Sequence, residues 1–299
     1  MTLQQLKYVV TVAECGNITE AAKQLFVSQP TVTSAIHDLE KEMQIVIFVR
    51  TNKGVILSED GERFLGHARQ VLEQVDLIEG IYKNDVVSKP HFAVSCQHYS
   101  FAVNAFVDVI RRFDAYQYDF TIREEQTHEI IEDVTNLKSE LGVIYLSSKN
   151  KEVLSKMLKR NELEFTELFT ATPHVFICDS HPLAKKKNIT MDDLQDYPYL
   201  TYEQGEYNSQ YFSEEFVSTL DSRKNIRVRD RATLFNLIIG LNGYTVCSGV
   251  ISAELNGRNI ISKPLDVEEY MQIGIITRKG VVLSRYAREY IEVLKAHCM

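Results

Sequence analysis

Apolar residues near the start of the chain recur at helical spacing. Leu3, Leu6, Val10 and Ala13 share one face of a first helix, which stops at Gly16, a residue suited to the left-handed backbone past a helix end. Asn17 stands three residues before Glu20, the spacing of a capping box, and Ile18, Ala21, Ala22 and Leu25 give a short second helix its inward face. Ser28 caps a third helix with Pro30 in its first turn, and Val32, Ile36, Leu39 and Met43 form its stripe at spacings of four, three and four. Ile45–Phe48 and Val49–Leu57 then read as two short strands around a basic turn containing Gly54. Residues 1–58 thus predict a winged helix-turn-helix.

Ser58 opens another helix, in which Phe64, Ala68, Val71, Val75, Ile78 and Tyr82 alternate at four and three. That a/d seam, in a linker helix predicted over 59–89, about 30 residues or ~45 Å long, suits pairing with another chain better than packing into a small core. From residue 90 the pattern changes to short apolar runs between helical stretches. Phe92–Cys96, Phe120–Glu124, Leu141–Leu146, Val175–Cys178, Tyr199–Tyr202, Tyr244–Cys247 and Ile273–Thr277 read as strands; Phe101–Phe113, Tyr211–Leu220, Ala232–Leu241 and Ser284–Lys295 read as helices. The alternation predicts an α/β domain over 90–299, with helices covering a largely parallel sheet.

Composition narrows the class. A chain of 299 residues, 44% hydrophobic and 25% charged, with only 13 Gly and 6 Pro, is an ordinary globular protein of about two domains. Its five cysteines (Cys15, Cys96, Cys178, Cys247, Cys298) are scattered without a CxxC pair, which argues against a disulfide framework or structural zinc and for a reducing cytoplasm. No basic and apolar leader opens the chain and no run of about 18 apolar residues interrupts it, so neither secretion nor membrane spanning is expected. The net charge of −8 disfavours a protein that coats nucleic acid. Residues 1–58 are neutral, however, with Lys7, Lys23, Lys41, Arg50 and Lys53 against Glu14, Glu20, Asp38, Glu40 and Glu42, so a DNA-binding face there would be local.

The signatures GxGxxG, GxxxxGK[ST], GxSxG and HExxH are absent, and neither a catalytic residue nor a cofactor is expected. His174, Cys178 and His181 have a metal-like spacing, but the β-run between them makes packing the simpler reading. Cys96 and His98, at a strand end, likewise read as pocket wall or core rather than as a nucleophile and base. The third helix is more specific. Gln29, Thr31, Thr33, Ser34 and His37 occupy its polar positions, where short side chains can meet base edges, while Arg50, Thr51 and Lys53 on the wing can reach phosphates or the minor groove.

The runs Asn17-Ile-Thr-Glu-Ala-Ala-Lys-Gln-Leu25, Val27-Ser-Gln-Pro-Thr-Val-Thr-Ser-Ala-Ile36, Phe48-Val-Arg-Thr-Asn-Lys-Gly-Val55 and Leu57-Ser-Glu-Asp-Gly61 resemble the N-terminal signature of LysR-type transcriptional regulators, and Asp179-Ser-His-Pro-Leu-Ala184 resembles the opening of that family's second regulatory subdomain. The resemblance implies double-stranded DNA as partner, a linker helix that dimerises, and a periplasmic-binding-protein-like effector module, usually in a tetramer of two dimers. Subdomain I would span about 90–168 and 267–299 and subdomain II about 169–266. Two departures stand out: Thr33-Ser34 replaces the family's frequent Ser-Arg, so its DNA preference does not carry over, and Leu241 and Ser248 replace a typical Gly and Pro.

By the same resemblance a small effector would sit between the subdomains, against Gln97, His98, Tyr99 and Ser100 on one side and Thr201, Tyr202 and Glu203 on the other. A helix N-terminus at Ser100 favours an anionic group, and Glu203 could receive an ammonium, so an organic acid or amino-acid-like ligand follows. The run Cys96–Ser100 also resembles regulators of sulfur amino-acid metabolism. Effector-driven closure would change the spacing of the DNA-binding pairs, the DNA bend and contact with RNA polymerase. Two alternatives use the α/β part alone: a solute-binding protein whose first helices only dimerise, or an enzyme relying on Cys96, His98 or Glu203.

Overall fold

A computed structural model describes residues 1–52, 54–83, 90–113, 117–205, 211–215, 223–251 and 257–298, which form two compact units. The first comprises Met1–Pro90 with Asn136–Lys138 and the second the remainder.

In the first unit, α1 (Leu3–Cys15), α2 (Ile18–Gln24) and α3 (Gln29–Met43) precede a hairpin of β1 (Phe48–Thr51) and β2 (Gly54–Leu57), followed by α4 (Glu59–Lys83). The starts of α2 and α3 are fixed locally. Asn17 Oδ1 accepts from the Thr19 and Glu20 amides, while Glu20 itself pairs with Lys23, and Ser28 Oγ accepts from the Thr31 amide. Val32, Ile36 and Leu39 are buried against Tyr8, Val9, Val12, Ala21 and Ala22, each large apolar side chain contributing roughly 1.5–3 kcal/mol. Met43 is exposed, because α3 has by then run past the core, and α1 buries Leu6, Tyr8, Val9 and Val12 while Leu3 faces solvent. The buried stripe of α1 is therefore turned from the expected one.

The first wing strand begins at Phe48 rather than Ile45. Glu40 Oε1 accepts from the Ile47 and Phe48 amides (2.7 and 3.1 Å), holding residues 45–47 as a connector, with Ile47 fully buried. Gly54 has φ +141°, and a Cβ there would lie 2.3 Å from the Gly16 carbonyl oxygen, which accepts from Val55 N–H at 2.9 Å. Glycine at this position lets the wing close on the α1–α2 corner. Along α4, Leu65 and Ala68 are buried, Val71 and Ile78 exposed. Residues 84–89, the Tyr82 side chain and Lys53 lie outside the described residues.

The second unit has two lobes. One is a five-stranded sheet in the order β4 (Asp119–Glu124), β3 (His91–Cys96), β5 (Leu141–Leu146), β12 (Met271–Arg278), β6 (Leu163–Ala171). The other sets β7 (His174–Cys178) between β10 (Thr245–Cys247) and β11 (Ile260–Pro264), both antiparallel to it, and adds the parallel pair β8 (Tyr199–Tyr202) and β9 (Asn225–Val228) through a Tyr199–Tyr244 bridge. The sheets are mixed, not largely parallel. β3 runs parallel to β4 and β5, but β12 is antiparallel to both β5 and β6. Topology requires this: β6 leaves the large sheet toward the second lobe through Thr172–Pro173, and β12 returns from that lobe, so it enters from the end at which β6 left.

Helix α5 (Ser100–Phe113) and the last helix (Arg285–Cys298) cover the large sheet on one face, where Tyr290 donates to the Ala102 carbonyl (2.9 Å) and its ring meets Phe92 and Phe106. Helices α6 (Thr127–Thr135) and α7 (Lys151–Arg160) bury Ile130, Ile131, Leu154 and Leu158 beside Ile144 and Ile276. After a short α8 (Met191–Leu194), α9 (Arg231–Leu241) covers β7 and β8 and ends on Asn242, whose φ of 50° takes the left-handed place a glycine would suit. Residues 211–215, expected in a helix, form turns and bends; the rest of that expected helix, 216–220, lies outside the described residues.

Candidate functional site

Two places gather polar side chains that the folding core does not need. The first is the outer face of α3. With Val32, Ile36 and Leu39 held inward, Gln29, Thr31, Ser34 and His37 are exposed and Thr33 half-exposed along the N-terminal two-thirds of the helix. Gln29 Nε2 donates to Thr33 Oγ1 (2.9 Å), leaving its carbonyl oxygen outward, and Thr31 Oγ1 lies 2.7 Å from Ser28 Oγ within the cap. Arg50 and Thr51 are exposed on the wing, Thr51 Oγ1 donating to the Gly54 carbonyl (3.2 Å). A helix held from behind by its apolar stripe, with short donors and acceptors in front, is the geometry that enters a major groove.

The second place is a cleft between the two lobes of the second unit. It encloses about 480 Å³ including its open mouth. His98, Tyr99 and Ser100 line it from the first lobe; Tyr202, Glu214, Glu215, Arg231 and Thr245 line it from the second. His98 is the junction. Its Nδ1 lies 2.9 and 3.0 Å from the Glu214 oxygens, its Nε2 3.0 Å from the Arg229 carbonyl, and its ring stacks on Tyr202 at 3.8 Å. Burial alone would depress its pKa, but the Glu214 carboxylate outweighs burial and raises it to about 8. Acceptors at both ring nitrogens fit the doubly protonated imidazolium.

Glu214 lies beside the start of α5 without taking the N–H of Ser100. Its Oε2 accepts from the His98 N–H (2.9 Å) just before α5, and its Oε1 from Gln204 Nε2 (3.2 Å). Glu215 is 2% exposed; it accepts from the Tyr202 N–H (2.7 Å) and the Ser213 hydroxyl (2.9 Å), and burial with the neighbouring Glu214 pushes its carboxyl up to about 8. Across the cleft Arg231 pairs with Glu124 (3.1 Å). Among the described residues the buried Ser100 Oγ and Thr245 Oγ1 have no hydrogen-bond partner.

Of the residues expected to touch an effector, His98, Tyr99, Ser100 and Tyr202 line the cleft, and Gln97, Thr201 and Glu203 do not. Gln97 is 1% exposed and spent internally, donating to Thr127 Oγ1 (2.7 Å) and accepting from the Tyr99 hydroxyl and the Tyr145 amide (both 3.1 Å). Glu203 turns to Arg229. The acids that do face the cleft, Glu214 and Glu215, carry no local signal beyond their adjacency. His174, Cys178 and His181 are separately tied down, to the Thr172 carbonyl, the Asn242 side chain and the Asn242 carbonyl. Among the described residues no three His, Cys, Asp or Glu side chains form a metal-binding group, and no helix is long and apolar enough to cross a membrane.

Residues 3–62 match the model of the bacterial regulatory helix-turn-helix proteins of the lysR family, and residues 96–299 match that of the LysR substrate-binding domain. The chain belongs to the LysR family of DNA-binding transcriptional regulators. It is 26% identical over 302 residues to the uncharacterised HTH-type regulator YbhD of Escherichia coli K12, covering 98% of this chain and 90% of that one. It is 29% identical over 210 residues to the regulator CysB of Burkholderia cenocepacia, covering 68% and 63% of the two chains. A full-length OxyR variant from Pseudomonas aeruginosa superposes with a TM-score of 0.64 at 22% identity over 99% of this chain and 94% of its own. Full-length CbnR in complex with target DNA superposes at 0.56 and 18% identity, over 99% and 100%. This LysR-family chain is a regulator, not an enzyme, with a DNA-binding domain followed by an effector-binding domain.

Proposed function

We propose that this LysR-family regulator acts in the cytoplasm on a duplex operator through α3 and the wing, with Gln29, Thr31, Thr33, Ser34 and His37 toward base edges and Arg50, Thr51 and Lys53 toward phosphates or the minor groove. The observation that carries the reading is the exposed polar face of α3 on a fully buried apolar stripe. Val71 and Ile78, exposed at seam positions of α4, support dimerisation through that helix, and two such dimers give the tetramer.

The effector in this reading is a small carboxylate-bearing molecule in the cleft, held by Ser100 and the first N–H groups of α5 and enclosed by His98, Tyr99 and Tyr202. The resemblance around Cys96–Ser100 puts sulfur-containing amino acids and their derivatives first in a ligand screen. Cleft closure would reset the spacing of the DNA-binding pairs and, with it, DNA bend and RNA polymerase contact. Relatives include hydrogen peroxide-inducible activators, but Cys96 and Cys247 here have thiols pushed well up by burial, which withholds the reactive thiolate at neutral pH and favours ligand binding over thiol chemistry.

Fluorescence anisotropy of the full chain on duplex DNA from beside its own gene, against scrambled DNA over a salt series, tests the DNA half. Binding preferential for one sequence, steeply weakened by salt and reduced by Gln29→Ala, is expected. If genomic fragments selected by the protein show no preferred sequence and Gln29→Ala binds them equally, the assignment of α3 is wrong.

A further inference from the structure

Two acids and two cations line the cleft, but one of the cations, Arg231, is matched to an acid outside the lining. His98 is matched to Glu214 and Arg231 to Glu124, whereas among the described residues no cationic side chain pairs with Glu215. Its carboxyl is walled in by the Tyr202 amide, Ser213 and the adjacent Glu214, with the hydroxyls of Tyr145 and Tyr199 nearby, and it lines the same cavity as Ser100 and Thr245. A buried carboxyl without a partner cation is costly unless it stays protonated or a cation arrives from outside. The two hydroxyls are a second and independent sign of an absent occupant. Both are buried, both lack a hydrogen-bond partner among the described residues, and one belongs to the first residue of a 14-residue helix, whose Ala102 and Val103 amides turn to the Tyr99 carbonyl.

The geometry points to a small zwitterion, an α-amino acid or close analogue, as the effector, with its ammonium on Glu215 and its carboxylate on Ser100, Thr245 and the start of α5. This rests on the reading of the cleft as the effector site and adds to it the cationic end of the ligand and the residue that receives it. Glu203, the acid the sequence suggested for that role, is spent on Arg229. Tyr202 and Phe235 wall the cleft and would cover the aliphatic part. Proton linkage follows. The Glu215 carboxyl is raised to about 8 by burial and Glu214, and an ammonium placed against it lowers that value, so binding near neutral pH releases a proton.

The test uses the full chain and the twenty L-amino acids, each beside its matching 2-oxo acid and decarboxylated amine, screened by thermal shift. Amino acids that bind are then titrated calorimetrically at pH 7 in phosphate and in Tris. At least one amino acid should raise Tm while its 2-oxo acid and amine do not, with release of about one proton per ligand bound. Glu215→Gln, nearly the same shape as the protonated acid, should weaken binding on the order of 100-fold and abolish the release, and Ser100→Ala should weaken it about tenfold. Glu215→Asp, which retains a titratable carboxyl, should restore part of both. If 2-oxo acids bind as well as amino acids, or Glu215→Gln binds unchanged while Ser100→Ala does not, the ammonium assignment falls and the cleft reading stands. Binding that neither variant alters places the ligand elsewhere and overturns the cleft reading too. A panel without a single binder overturns the zwitterion.

Discussion

The two functional regions are built in opposite ways. The face of α3 is a row of exposed polar side chains on one rigid helix, each free of the core and most of them free of one another. The cleft is a buried network in which His98, Tyr202, the adjacent Glu214 and Glu215, and Arg231 come from four separate segments, the first four of these residues linked through His98 and Tyr202. Water screens the first, so changes there should be small, local and close to additive. Low dielectric governs the second, so removing one member leaves another uncompensated, and effects should be large, pH-dependent and coupled.

The sharpest break of this contrast is His98→Ala, which leaves the Glu214 carboxylate buried without its cation. A loss on the order of 3 kcal/mol from the second unit at pH 6.5 is expected, read as a fall in the Tm of that unit's transition while that of the first unit stays in place. The sign follows from a histidine pKa raised from 6.5 to about 8 on folding: the proton-linked part of its contribution, about 2 kcal/mol, is complete below pH 6.5 and is lost as pH rises through 8, so the gap between variant and parent should narrow by about that much at pH 9 while the lost Tyr202 stacking and packing remain. Next is Leu39→Ala, a fully buried side chain under α3, which should cost the first unit roughly 2–5 kcal/mol and spare the second.

Glu215→Gln should act in the opposite direction. A carboxyl raised from 4.5 to about 8 binds its proton more tightly in the folded state, so its cost to stability is absent below pH 4.5 and complete above pH 8. The unliganded variant should therefore be more stable than the parent at pH 8, by on the order of 4 kcal/mol, and close to it near pH 4.5. Smaller effects belong to the DNA face. Gln29→Ala should cost about 1–3 kcal/mol on the preferred sequence only, and Arg50→Ala should weaken binding to all sequences and lower the salt slope by about one.

The same contrast governs what was legible in the sequence. Asn17, Gly16, Ser28 and Pro30 act on their own neighbours, and the helix starts they predict are the helix starts observed. Patterning also fixed β3, β5 and β8 to within a residue. It misplaced Leu3 and Met43 because helical spacing does not say where the core beneath a helix ends. It missed β6, where Glu164, Glu167 and Phe165 mix on an edge strand, and it missed the reversed direction of β12, which depends on the path through the other lobe. In the cleft, Ser100 and His98 were legible through the family resemblance, which points to the end of the first strand and the start of the next helix. Gln97 and Glu203 have the same polar character and adjoining positions, and only the tertiary placement of Thr127, Tyr145 and Arg229 shows that they are already spent. Glu214 and Glu215 became functional candidates through burial alone.

The central claim is that cleft occupancy and DNA recognition belong to one mechanism. The direct measurement is a DNase footprint with bend analysis on an operator selected from genomic fragments, with and without a saturating amino acid that binds the cleft, for the parent and for Ser100→Ala. The account predicts a ligand-dependent change in footprint length and bend in the parent that requires about tenfold more ligand in Ser100→Ala. Identical footprints and bends at saturation, with ligand binding independently verified, would contradict it.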